Sequence, residues 1–167
     1  MKEKIFRNYL ELKSFKDFKE VKKPSEDYSV ELTDPKDFQL NKFFYKNVGK
    51  NCQWTDRLVW TDLDWTKYVS NEKLFTYILR NKDEIGGYFE LIFNKNTKES
   101  EIAYFGILEE YFGRKLGAYL LSEAIKFSFN LGSVRVWVHT CSLDHKNALL
   151  NYQSRGMKIF KSETLIR

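Results

Sequence analysis

The pattern of apolar and polar positions is most informative between Glu101 and Asn130, EIAYFGILEEYFGRKLGAYLLSEAIKFSFN. Ile102 to Leu108 gathers β-branched and aromatic residues over a length suited to a buried strand. From Leu116 onward the apolar residues fall at Leu116, Leu120, Leu121, Ala124 and Ile125, then at Phe127 and Phe129, the i, i+4 spacing of one helix face. Phe112-Gly113-Arg114-Lys115-Leu116-Gly117-Ala118 joins the two. A strand that passes through a glycine-bearing turn directly into a helix leaves free backbone N–H groups at the helix start, and Arg114 and Lys115 set two cations beside them. The stretch therefore predicts an anion site, suited to a diphosphate. GRKLG has neither the GxGxxG nor the GxxxxGK(S/T) spacing, which disfavours a Rossmann or P-loop nucleotide site.

The remaining chain reads as short elements around this unit. Tyr9 to Leu12 reads as a short strand, and Phe15, Phe18 and Val21 clamp residues 1–27 onto the domain as a lead segment. Tyr28 to Leu32 alternates as a strand; Thr33 or Asp34 caps and Pro35 opens a helix that carries Leu40, Phe43, Phe44 and Val48 and stops at Gly49. Thr61-Asp62-Leu63-Asp64 resembles a capping box with Asp in place of Glu, which predicts a second helix running to about Ser70. Leu74 to Leu79, Gly87 to Phe93 and the strand before the loop follow one another through short polar turns, as antiparallel neighbours do. Asn130-Leu131-Gly132 ends the long helix. Val134 to Thr140 is a further strand, Asp144 caps a helix bearing Ala148, Leu149 and Tyr152 that closes at Gly156, and Met157 to Thr164 is a last, edge strand. No internal repeat, linker or low-complexity run interrupts residues 1–167, which read as one α/β domain.

Bulk properties narrow the class. A chain of 167 residues, 43% hydrophobic and 31% charged, can bury a core without staples. No apolar run approaches the roughly 20 residues of a membrane span, and no apolar signal core follows Met1-Lys2-Glu3-Lys4, so the expected location is the cytoplasm, away from the membrane. Cys52 and Cys141 are too few and too far apart for a disulfide framework or a zinc site, and are expected as reduced structural thiols with no metal bound. Lysines and arginines between Lys2 and Lys23 carry much of the net charge of +5, but interleaved acids make a solvated face the expectation over a nucleic-acid arm.

The strand, loop and helix resemble those of the Gcn5-related N-acetyltransferase (GNAT) superfamily, whose loop follows Q/R-x-x-G-x-G/A. Gly113 and Gly117 keep the loop spacing, Phe112 stands where Gln or Arg is common, and Lys115 where the middle glycine is common. Further on, RVWVHTCSLDHKNALLNYQSRGM is similar to the family's N-x-x-A-x-x-x-Y-x-x-x-G-F: Ala148, Tyr152 and Gly156 match, His145 takes the Asn position, and Met157 replaces Phe. From Tyr104 to Gly156 the chain is also similar to a bacterial subgroup with YFG-L, GR-LG, VWVHTC-LDH, AL-NY and RG, and GGYFEL and WTDRL upstream resemble it too. The resemblance implies a mixed β-sheet, splayed at its centre and flanked by helices, and acetyl transfer from acetyl-CoA to a primary amine with CoA as product.

The same resemblance implies site residues. Gly113, Arg114, Lys115, Leu116, Gly117 and Ala118 would hold the pyrophosphate of acetyl-CoA. Phe105, Gly106, Ile107 and Leu108 would offer backbone groups to the pantetheine arm, with Gly106 admitting close approach. Tyr152 would donate a proton to the departing sulfur, since an ordinary phenol is protonated at neutral pH. The base is left open among Glu90, Glu101 and His139, or a water they orient, and His145 would hold the cofactor or the helix start. Trp54, Asp56, Arg57 and Trp60 would contact the acceptor, a small amine or a peptide N-terminus or lysine; otherwise the tryptophans are core anchors and Asp56 pairs with Arg57. Two other functions stay open: a GNAT-shaped module that binds acyl-CoA without turnover, and a basic domain associated with nucleic acid. Homodimerisation is also left open.

Overall fold

The computed structural model describes every residue from Met1 to Arg167. Its strands are β1 (Lys4–Leu12), β2 (Tyr28–Leu32), β3 (Leu74–Asn81), β4 (Glu84–Asn94), β5 (Glu99–Ile107), β6 (Arg135–Cys141) and β7 (Lys158–Ile166). The helices are α1 (Phe38–Gly49), α2 (Asp62–Val69), α3 (Leu116–Asn130) and α4 (Ala148–Ser154). The strands form one seven-stranded sheet in the order β2-β3-β4-β5-β6-β1-β7. All neighbours are antiparallel except β5 and β6, which makes this the mixed α/β sheet that the sequence leads one to expect. No helix is long and apolar enough to cross a membrane.

Both faces of the central strands are covered. Gly86 to Leu91 of β4 are all buried, as expected of a strand between two helical layers. On one face Phe44 of α1 stacks on Tyr88 with ring centroids 4.8 Å apart. On the other, Phe127 of α3 stacks on Tyr77 at 4.4 Å, and Tyr77 on Phe89 at 4.9 Å. The apolar stripe of α3 supplies Leu116, Leu120, Leu121, Ala124 and Ile125 to the core, each no more than 1% exposed.

Local chemistry sets the element ends. The capping box at Thr61 and Asp64 forms as expected. The first helix starts later than Pro35, because the side chain of Asp37, rather than Thr33 or Asp34, accepts the N–H of Gln39 at 2.9 Å. Asp144 does not cap α4: its carboxylate accepts the Thr140 hydroxyl at 2.6 Å and the Cys141 N–H at 3.0 Å, which tightens the turn after β6. Asn147 stands at the cap position with no side-chain bond.

The lead segment departs most from expectation. Instead of a short strand at Tyr9 to Leu12, β1 spans nine residues and lies inside the sheet, paired with β6 over Arg7–Leu12 and with β7 along its length. The chain then crosses α3 to reach β2 at the opposite edge. Val21 N–H donates to Ser122 Oγ at 2.6 Å, and Lys126 pairs with Glu20 at 3.1 Å. Gly156 turns at φ +103°, where a Cβ would lie 2.1 Å from the carbonyl oxygen of Asp17, so only glycine admits this strap.

One irregularity positions the site. β5 and β6 are paired only at Glu99↔Arg135, Ser100↔Val136 and Glu101↔Trp137. Beyond Glu101 they part. Across the other edge of β5, Leu91 faces Ile102 while Glu90 faces Tyr104, which leaves Ala103 as a bulge where the strands separate.

Candidate active site

The turn after β5 is built on two left-handed residues, Gly113 at φ +79° and Lys115 at φ +61°, ψ +22°. Lys115 immediately precedes α3, so the backbone swings sharply into the helix. From Gly113 to Ala118 no backbone N–H donates to a protein acceptor. These donors, at the positive end of a 15-residue helix, are free to bond an anion. Asn151 of α4 braces this helix start, its Nδ2 donating to the Gly117 carbonyl at 3.0 Å. Lys115, Leu116, Gly117 and Ala118 line the adjoining cleft with Gly113. Arg114 does not: its guanidinium lies over the Tyr111 ring at 4.6 Å and reaches the Glu110 carbonyl at 3.4 Å.

The gap between β5 and β6 opens into a cleft of about 1180 Å³. That is above the roughly 300–1,000 Å³ of ordinary small-molecule pockets. Phe105, Gly106 and Ile107 line it from β5, Val138, His139 and Cys141 from β6, and Tyr152 from α4. Leu108 is instead 4% exposed in the core, where its N–H bonds to the Gly86 carbonyl. Gly106 admits a close approach of a different kind from that expected: a Cβ there would meet Val48 Cγ1 at 2.2 Å, so its small size lets α1 seat against the sheet.

Tyr152 packs against Phe105, with centroids 6.3 Å apart, and is 6% exposed. Its hydroxyl makes no hydrogen bond within the protein, and burial, with Asp144 and Cys52 nearby, raises its pKa and keeps the phenol protonated. Glu101 lines the cleft half-buried, without an ion-pair or hydrogen-bond partner. Burial raises its pKa above the ordinary 4.5, opposed in part by Arg57. His139 faces the same cleft and packs against Tyr9 at 5.7 Å; its side chain keeps an exposed face, and partial desolvation by the surrounding protein and then the Arg7 guanidinium lower its pKa below 6.5. Cys52 and Cys141 are free thiols that both line the cleft, and burial, with Asp144, pushes Cys52 up to about 11.

The connection between α1 and α2 forms the opposite wall. Arg57 is 8% exposed, and its guanidinium carbon sits 4.0 Å from the ring centroid of Tyr104, 4.1 Å from Tyr68, 4.7 Å from Trp60, 5.6 Å from Tyr45 and 5.7 Å from Trp65. Its Nη1 lies 3.4 Å from Glu90 Oε1. Glu90 is fully buried and also accepts from Tyr68 at 2.5 Å and Asn41 at 2.9 Å. Burial disfavours the Arg57 charge, but Glu90 and the tyrosines outweigh it, and its pKa is raised.

This geometry corrects two expectations. Glu90 does not reach the cleft, so it is a counter-ion rather than a base, and Arg57 pairs with Glu90 rather than with Asp56. Asp56 and Trp54 line the cleft, Trp54 edge-on to Tyr104 at 5.0 Å, whereas Trp60 lies outside it, against Trp65 at 4.8 Å. The cleft also recruits residues that local sequence reading missed. Arg7 enters from β1, Tyr104 lies on β5 beyond its last pairing with β6 at Glu101, and Asn151 adjoins the Tyr152 motif position. Tyr104 and Asn151 stand within motifs quoted above, YFG-L and AL-NY, whereas Arg7 carried no local signal.

The acetyltransferase (GNAT) family model matches residues 36–157. A GCN5-related N-acetyltransferase from Sphaerobacter thermophilus superposes with a TM-score of 0.72 at 15% identity, covering 97% of this chain and 50% of that one. One from Kribbella flavida gives 0.67 at 13%, covering 96% and 56%. An aminoglycoside acetyltransferase from an uncultured soil metagenomic sample, crystallised with trehalose, gives 0.65 at 12%, covering 80% and 90%. The chain thus spans about half the length of the first two, and at these identities the likeness is one of fold. A search of curated proteins finds no match.

Proposed function

We propose, from the premise that the chain belongs to the acetyltransferase (GNAT) family, that it transfers an acetyl group from acetyl-CoA to a primary amine. The observation that carries this reading is the run of unpartnered N–H groups from Gly113 to Ala118, opening onto the gap where β5 and β6 part. The fit to a diphosphate is chemical: backbone donors at a helix start, with Lys115 on the same wall, match two adjacent anionic groups.

When bound, acetyl-CoA supplies an activated acyl thioester. Gly113, Lys115, Leu116, Gly117 and Ala118 would hold its diphosphate, with Arg114 adding charge from outside the cleft. The edge of β5 from Phe105 to Ile107, freed by the splay, would hold the pantetheine arm. Glu101, whose raised pKa suits a base, would take the proton of the incoming ammonium, with His139 second in line. Tyr152, protonated and unpartnered, would donate to the departing sulfur. Trp54 and Asp56 would present an aromatic face and a negative charge to a cationic acceptor. Arg57, held by Glu90, would form the floor of that wall, and Trp60 would back it from outside the cleft. A cytoplasmic location suits this chemistry and the chain's reduced thiols.

Calorimetry with acetyl-CoA, followed by a free-thiol assay across a panel of amines, tests the proposal. Binding followed by thiol release with at least one amine is expected. Binding without release from any amine would leave an acyl-CoA-binding module, and salt-sensitive RNA or DNA binding in place of CoA binding would point to the basic-domain reading.

A further inference from the structure

Two residues that depart from the family pattern quoted above meet in space. Phe112 stands where Gln or Arg is common and His145 where Asn is common, and their rings lie edge to face, with centroids 5.3 Å apart and planes at 76°. Both line the cleft. Phe112 is 42% exposed and stacks on no other ring, so the core does not explain why a large apolar side chain sits there.

His145 Nδ1 accepts the N–H of Asn147 at 3.1 Å. In the neutral imidazole this places the ring proton on Nε2, which has no protein acceptor. The ring is therefore fixed at two points, by the Asn147 N–H and by the Phe112 ring, and keeps one free donor on the cleft. Phe112 directly precedes Gly113, where the unpartnered N–H groups begin.

We infer that Phe112 is a positioning residue for cofactor binding: its ring holds the His145 imidazole so that Nε2–H joins the Gly113–Ala118 amides in donating to the cofactor's diphosphate. This rests on the acetyl-CoA reading above. In the family pattern a polar loop residue and an Asn occupy these two positions; here an aromatic ring orients an imidazole donor.

The test is a double-mutant cycle on the dissociation constant for CoA, read by calorimetry. An aromatic pair is worth roughly 0.5–1.5 kcal/mol, so Phe112→Ala should weaken binding about two- to twelvefold. His145→Ala should weaken it at least as much, and the double variant no more than His145→Ala alone, because Phe112 acts through His145. Phe112→Tyr, which keeps the ring, should bind like wild type. Phe112→Ala should raise the KM for acetyl-CoA and leave kcat unchanged. The same ratios should hold with 3′-dephospho-CoA, whereas a loss confined to CoA would move the contact to the 3′-phosphate and overturn the diphosphate assignment. Additive losses, or a Phe112→Tyr variant as weak as Phe112→Ala, would overturn the inference while leaving the acetyl-CoA reading intact. Failure of the wild-type protein to bind CoA would remove both. Phe112 and His145 are both exposed, so the variants should fold, and unchanged melting curves check it.

Discussion

Replacing Arg57 with methionine should destabilise the protein far more than an ordinary surface substitution. The side chain is 8% exposed and is the only cation paired with Glu90, which is fully buried. Methionine keeps much of the volume and can pack among the five rings, so cavity formation is a small part of the loss. What remains is a buried carboxylate with Asn41 and Tyr68 as donors and no counter-ion. Breaking a buried pair by removing one partner costs about 3–5 kcal/mol. For a domain of this size, roughly 2–4 °C per kcal/mol makes that a fall in Tm of about 6–20 °C. The assay is thermal and urea unfolding of wild type, Arg57→Met, Glu90→Gln and the double variant. Each single change strands one member of the pair, so the double variant should lose much less than the two losses added together. A loss under about 1 kcal/mol for Arg57→Met, or additive losses in the double variant, would refute the view that this ion pair fixes the connection between α1 and α2 to the sheet.

Tyr152→Phe should lower kcat by about a hundredfold or more and leave CoA affinity within about twofold, as expected for an acid that acts at the sulfur; steady-state kinetics beside calorimetry separates the two. Glu101→Gln should abolish the acid limb of the kcat/KM profile, whose midpoint in wild type should lie above 4.5. A carboxyl with a raised folded pKa makes the protein lose stability as pH rises from the ordinary 4.5 through the raised value, so Glu101→Gln should melt higher than wild type at pH 7, and the gain should vanish below that window. Lys115→Gly removes a left-handed lysine, worth roughly 1 kcal/mol against a similar or smaller glycine entropy cost, so Tm should hold or rise slightly. Its CoA affinity should fall several-fold at low salt, with the difference shrinking at about 1 M, as titration at two ionic strengths would show. Gly106→Ala forces a methyl to within 2.2 Å of Val48 Cγ1 and should cost about 1–3 kcal/mol in chemical unfolding, part of it recovered by adding Val48→Ala.

The sequence by itself determined the local elements, because their causes are local. The i, i+4 stripe from Leu116, the Thr61–Asp64 capping box and the glycine at 113 each act within a few residues, and the strand, turn and helix around Gly113 formed where those signals put them. The free N–H groups were legible for the same reason: at a helix start they stay free unless a side chain supplies a cap, and none does here.

Tertiary structure decided whatever depended on distant partners. β1 lies between β6 and β7 because of pairing across more than a hundred residues, which a nine-residue pattern cannot specify. Glu90 and Arg57, candidates for base and substrate contact when read alone, neutralise one another once α1, α2, β4 and β5 close around them, since neither charge could stay buried unpaired. Gly106 is small for the sake of Val48, and Asp144 spends its carboxylate on the turn after β6 instead of on a helix cap. Residue type tells which bonds a side chain is able to form; only the folded neighbourhood fixes which of them it forms, because each buried polar atom bonds the partner that packing has left within reach.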